Sequence, residues 1–132
     1  MPGDSGWPAP AFSFRVRLGR KQVSFAQVTG VEAVLDASGE GVRHGLVRFS
    51  RGIFPGDLTL WRWFEAYAHD PAARETVTID LLDAGGKPMR RWTLRGARPV
   101  RVFGPDLSAI ANAAAIETVE VACDAIEVSS GR

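Results

Sequence analysis

Phe12-Ser13-Phe14-Arg15-Val16-Arg17-Leu18 alternates apolar and polar side chains without a break. That period of two sends Phe12, Phe14, Val16 and Leu18 to one face of a strand, and Ser13, Arg15 and Arg17 to the other. Working outward, Gly19-Arg20-Lys21-Gln22 reads as a turn. Val23 to Leu35 reads as a second strand, whose alternation slips at Gln27-Val28 beside Gly30, the signature of a bulge. Asp36-Ala37-Ser38-Gly39-Glu40-Gly41 is too polar and glycine-rich to bury, and the return through Leu46, Val47, Arg48 and Phe49 predicts a hairpin. Upstream of Phe12 stand three of the eight prolines, so residues 1–11 are expected to form an unstructured arm.

The rhythm changes after Phe54-Pro55-Gly56-Asp57. Asp57 offers a carboxylate to the free N–H groups of a first helical turn, and Leu60, Phe64, Tyr67 and Ala68 follow at spacings of three and four. A helix is therefore expected from Leu58 to His69, stopped by Pro71, with Phe64 on its inward face. Trp61 and Trp63 project about 200° apart on a helical wheel, so one of them must find other cover. Period-two alternation resumes from Thr76 to Asp83, a turn follows at Asp83-Ala84-Gly85-Gly86-Lys87, and Met89 to Leu94 returns. Gly96 and Pro99 are expected to bend or break the strand before Val100 to Phe103. A final strand runs through Ile116, Val119, Val121 and Ile126. The sum is a mainly β fold, an antiparallel sandwich or half-barrel of six or seven strands with one flanking α-helix. Phe14, Phe25, Phe64 and Trp92 are expected in its core, 12–128 as a single domain and 129–132 as a flexible tail.

A chain of 132 residues and 14.3 kDa has room for one such domain. With 45% hydrophobic and 23% charged residues it has the composition of a globular protein, and no apolar run approaches the roughly 20 residues a helical bilayer crossing requires. The net charge of +1 supplies no global field for nucleic acid, so no specific nucleic-acid binding is expected. Cys123 is the lone cysteine, and MPGDSGWPAP carries neither a basic nor an apolar leader region, which predicts synthesis in the cytoplasm.

The residues of catalysis are sparse. His44 falls in a polar hairpin, His69 at a helix end where a cation suits the dipole, and Cys123 in a strand where it reads as a small hydrophobe. Gly39 to Gly45 spells G-x-G-x-x-x-G, one residue too long for the dinucleotide fingerprint and placed between strands. No metal-ligand set, cofactor motif or nucleophile–base constellation is present, so no enzyme, cofactor or metal is expected.

Charge is informative in its distribution. Fourteen of the 16 basic residues are Arg, and Arg90, Arg91, Arg95, Arg98 and Arg101 fall in a stretch without an acid. Asp106, Glu117, Glu120, Asp124 and Glu127 then come with no base between them. Two accounts fit. The two strands pair their charges within one subunit, or Arg95, Arg98 and Arg101 of one subunit meet Glu117, Glu120 and Glu127 of the next in a head-to-tail contact that closes a ring.

Phe12 to Val16, Val23-Ser24-Phe25-Ala26-Gln27-Val28-Thr29-Gly30-Val31, and Ser50-Arg51-Gly52 ahead of Leu60-Trp61-Arg62-Trp63 together resemble the inner tail-tube proteins of contractile phages and phage-tail-like injection systems. Trp92-Thr93-Leu94, Arg98-Pro99-Val100, Gly104-Pro105-Asp106-Leu107 and Ala115 to Glu120 continue the resemblance, which covers Phe12 to Val128 in order. It implies a structural, non-catalytic subunit that forms homo-hexameric rings around a lumen. Such rings stack with other tube, sheath and baseplate proteins into a particle that can be released. Two departures stand out: Arg98 replaces the family's tryptophan, and Glu32 to Phe49 is shorter than the family's hairpin arm, which suggests a baseplate-proximal or terminal ring. The competing reading is a small monomeric β-barrel that binds a ligand or single-stranded nucleic acid through Arg90 to Arg101 and Trp92.

Overall fold

β1 (Ser13–Leu18) keeps the alternation of its sequence: Val16 and Leu18 are buried, and Arg15 and Arg17 occupy the other face. The computed structural model describes residues 12–107 and 115–130. The expected arm 1–11, the stretch Ser108 to Ala114 and residues 131–132 of the expected tail lie outside the described residues. After β1 come β2 (Lys21–Val23), β3 (Gln27–Thr29), β4 (Val34–Leu35), β5 (Val42–Arg43), β6 (Val47–Gly52), α1 (Thr59–His69), β7 (Glu75–Leu82), β8 (Pro88–Phe103), β9 (Ile116–Ala122) and β10 (Ala125–Ser129). Every strand pair is antiparallel.

Two sheets share one strand. The first half of β8 lies between β7 and β10 and completes a sheet with β1 and β2; its second half pairs with β9, which leads through β6 to β3. The passage occurs at Gly96, whose φ of 64° is left-handed, and at the register shift between Pro99 and Arg101. Asp124 fills the space that a Cβ on Gly96 would need, and its N–H donates to the Arg95 carbonyl over 2.8 Å. β8 and the β9–β10 pair therefore turn together, and the two sheets fold over a common core.

Two expectations need correction. Val23 to Leu35 is three short strands, because the chain leaves β1 after Val23, pairs with β6 over Gln27–Thr29, and then turns out at Gly30 into the separate β4–β5 hairpin. The slip at Gln27-Val28 thus marks a change of sheet instead of a bulge. At Gly96 and Pro99, where the sequence allows a bend or a break, β8 bends and continues, since the strand keeps a neighbour on at least one side throughout. The last strand divides at Cys123-Asp124, so the described residues hold ten strand segments, several of two or three residues, where six or seven strands were expected, and β10 carries order to Ser129.

The core is fully buried Val16, Val47, Phe49, Leu60, Val77, Leu94, Val119 and Val121. α1 lies against β8 and supplies Leu60, with Trp63 packed beside the core. Phe14, Phe25 and Trp92 are only partly buried and line the rim of the core, with Phe14, Trp92, Val28, Val31 and Ile79 bounding an open apolar cleft of about 250 Å³. Phe64 is misplaced by the sequence reading. It is half-buried, sits outside the core and meets exposed Trp61 edge-on at 6.5 Å, because the helix turns Leu60 and Trp63 inward. Leu60→Ala is expected to cost about 2–5 kcal/mol of unfolding free energy, and Phe64→Ala clearly less. Denaturant midpoints of the two variants check this order, and equal losses would mean that the inward stripe is assigned wrongly.

Candidate functional site

Pairing leaves strand edges open. β7 and β10 flank the same part of β8 from opposite sides, and β9 continues on the β10 side through the Asp124 to Arg95 hydrogen bond. Beyond Ala97, then, the β7 side of β8 has no partner among the described residues, and Val100 on it is exposed. β3 closes the other end of the same four-strand sheet, with no neighbour beyond it among the described residues. β2 and β10 are the free edges of the first sheet. Such rows of unpaired N–H and C=O groups are templates for a further strand. The β4–β5 hairpin adds exposed Val34, Leu35 and Val42.

The outward faces are polar and their charges are locked. On the first sheet, Asp80 is completely buried beneath Arg15 and Arg91, with Arg91 Nε donating over 2.6 Å and Arg15 Nη2 over 2.9 Å. On the second, Arg48 Nε donates to Glu120, and Arg101 lies 3.6 Å from the other oxygen of the same carboxylate. At the corner, Asp124 takes Arg98 over 3.0 Å and Arg74 over 2.9 Å. Each acid is gripped by two arginines. Hydrogen bonds from Arg91 first, and from Arg15, hold the Asp80 carboxyl below its ordinary range; Arg48 does the same for Glu120, and Arg98 for Asp124.

The inner face carries the inverse arrangement. Arg51 is buried, donates from Nε to Glu117 and from Nη1 to Asp57, and stands beside the Phe25 and Phe54 rings. Asp57 also accepts the Thr59 N–H over 2.9 Å, as its place before the helix predicted. Bonds from Thr59, and then Arg51, hold its carboxyl well below the usual range. One guanidinium thereby ties β6, β9 and the start of α1. Arg51 was missed by the sequence reading, although its place in the Val47–Phe49–Arg51 alternation puts it on the inner face.

The residues expected at a subunit contact are accounted for within the chain. Arg95 pairs with Glu127 at 3.0 Å, Arg98 with Asp124, Arg101 with Glu120 and Arg51 with Glu117. Glu117 and Glu120 are 5% and 4% exposed, so they are corrected from contact residues to buried partners of their own subunit. The basic strand forms no continuous ridge, because alternation and the corner send its arginines to different faces, with Arg90 over the Trp92 ring. Among the described residues no group of acids, histidines and cysteine is placed to hold a metal ion. Cys123 is half-buried, and burial pushes its thiol up, away from a reactive thiolate. His44 Nδ1 meets the Glu32 carbonyl, which ties the base of the hairpin. No helix of the described residues is long and apolar enough to cross a membrane.

This architecture has close counterparts. A family model described as T4-like virus tail tube protein gp19 matches residues 10–127. The fold superposes on a chain of the sheath–tube complex of an extracellular contractile injection system (PVC) in its extended state. There the TM-score is 0.79 and the identity 21%, over 96% of this chain and 94% of that one. A chain from the tube-terminating cap of the anti-feeding prophage matches with TM-score 0.77 and 23% identity, over 94% and 92%. Hcp1 from Salmonella typhimurium matches with TM-score 0.62 and 14% identity, over 89% and 85%. No curated protein matches significantly by sequence.

Because the bound carboxylates titrate below their unfolded values of about 4, their contribution is complete above that pH and is lost as the pH falls through the folded values. Asp80→Asn should destabilise the protein by about 1–3 kcal/mol at neutral pH. The difference from the parent should shrink on acidification below about pH 4. Denaturant midpoints across that range check it, and a pH-independent difference would mean that Asp80 acts by packing alone.

Proposed function

The chain belongs to the T4-like virus tail tube protein family, and from that premise we propose that it is a non-catalytic structural subunit that closes into a homo-hexameric ring around a lumen. The observation that carries this is the four-strand sheet β3–β6–β9–β8, open at both ends and polar on its outer face. Continuing that sheet from the β8 edge of one subunit to the β3 edge of the next satisfies both rows of unpaired groups and leaves none when the circle closes. Its apolar face already covers the subunit's own core, so its polar face becomes the lumen wall. Ion pairs at the rim, with Arg95 and Glu127 exposed there, then guide register more than affinity.

The exposed apolar side chains of the short β4–β5 hairpin fit a contact with the adjoining ring, other tube proteins, sheath or baseplate. Its shortness supports a baseplate-proximal or terminal ring over the bulk tube. The monomeric nucleic-acid module is the weaker reading, since Arg91, Arg95, Arg98 and Arg101 meet different acids on different parts of the surface and form no continuous ridge.

Native mass spectrometry of the purified protein should give a six-subunit mass, and electron micrographs should show single rings instead of long tubes. Val100→Asp, on the open β8 edge, should abolish the ring while changing monomer stability by no more than about 0.5 kcal/mol. A stable monomeric parent protein, or rings that survive Val100→Asp, would overturn the edge-to-edge assembly.

A further inference from the structure

The outer face of the second sheet is asymmetric in what it shows to solvent. Glu120 is the acid at the centre of that face and only 4% exposed, whereas the side chains of Arg48 and Arg101 above it are 59% and 61% exposed. Arg48 donates to Glu120 through Nε, and the outer edge of its guanidinium, formed by the two terminal nitrogens, carries further donors. Arg101 reaches Glu120 only at 3.6 Å, and its guanidinium carbon lies 4.1 Å from the centre of the Phe103 ring. The buried acid and the ring hold the two guanidiniums in place and consume only part of their donors. Ser50 and Thr118, bonded to each other at 2.9 Å, make the neighbouring surface polar and uncharged.

We propose that Arg48 and Arg101 form a recognition pair for carboxylates, so that the wall they line favours an acidic, polar polypeptide. This rests on the reading of the second sheet as a lumen wall, where the pair recurs once in every subunit. A guanidinium fork matches a carboxylate bidentately, and repetition around a ring multiplies weak single contacts. Nucleic acid fits less well. The discriminating feature of this face is base stacking, on which the hold on a single strand depends. Its aromatic ring, Phe103, is covered by Arg101 and gives bases nothing to stack on.

The test is fluorescence anisotropy of a labelled oligoglutamate with the purified protein, set beside oligolysine and oligothymidylate. Oligoglutamate should bind in low salt and oligolysine should not. Arg48→Gln with Arg101→Gln should weaken binding about tenfold, and Arg48→Lys, which keeps the charge but loses the fork, should weaken it less. Both arginines are on the surface, and a thermal melt confirms that each variant is folded. Absence of oligoglutamate binding, or binding indifferent to the two arginines, overturns the proposal. Oligothymidylate bound more tightly than oligoglutamate through the same residues overturns the assignment to polypeptide. The subunit mass is read separately: a ring that ignores oligoglutamate refutes only the recognition pair, and a monomer that binds it through Arg48 and Arg101 refutes only the ring.

Discussion

The rest of the architecture depends on one bend, where the 16-residue β8 passes from one sheet into the other. A flat strand of that length would hold β7, β9 and β10 in one open layer, with both faces wet and no enclosed core. Gly96 permits the left-handed turn, and Asp124 occupies the space left by the missing side chain. Arg98 and Arg74 hold that carboxylate from β8 and from the segment before β7. With the corner fixed, Leu94 and Ala97 on one side and Val119 and Val121 on the other come to face a single core.

The same corner decides which edges stay open. β7 cannot follow β8 around the bend, so the outer side of Val100 to Phe103 loses its neighbour just where β9 gains one. A subunit that is stable through its core thus keeps unsatisfied backbone groups at the ends of its second sheet. The ring proposed above would pair these edges and leave none over.

The prevalence of arginine follows from the faces. A carboxylate between two strands has to be satisfied from both sides, and a planar guanidinium with several fixed donors reaches across a strand where an ammonium would supply a single point charge. Asp80, Glu120 and Asp124 each meet two such groups. Ion pairs of this kind contribute modestly to stability and more to register, since a slip by one residue would set each acid against the wrong face. Arg51 differs. It is buried with Glu117 and also meets the partly exposed Asp57, and replacing Arg51 or Glu117 would leave uncompensated charge at the junction of β6, β9 and α1.

The sequence by itself determined the class of fold and much of its parts. Alternation in Phe12 to Leu18, in Val77 to Leu81 and in Val119 to Val121 needs only the period of a strand, and Asp57 ahead of Leu60 needs only the free amides of a helix start. Such signals are local, so they survive without knowledge of what lies opposite. Tertiary structure alone decided that Gly96 bends β8 without ending it, and that Leu60 and Phe49 take the centre while Phe64 stays at the margin. It also paired Arg98 with Asp124 and Arg101 with Glu120. Each of these depends on which distant segment arrives at the same place, and on how much room it leaves, quantities that no spacing along the chain encodes.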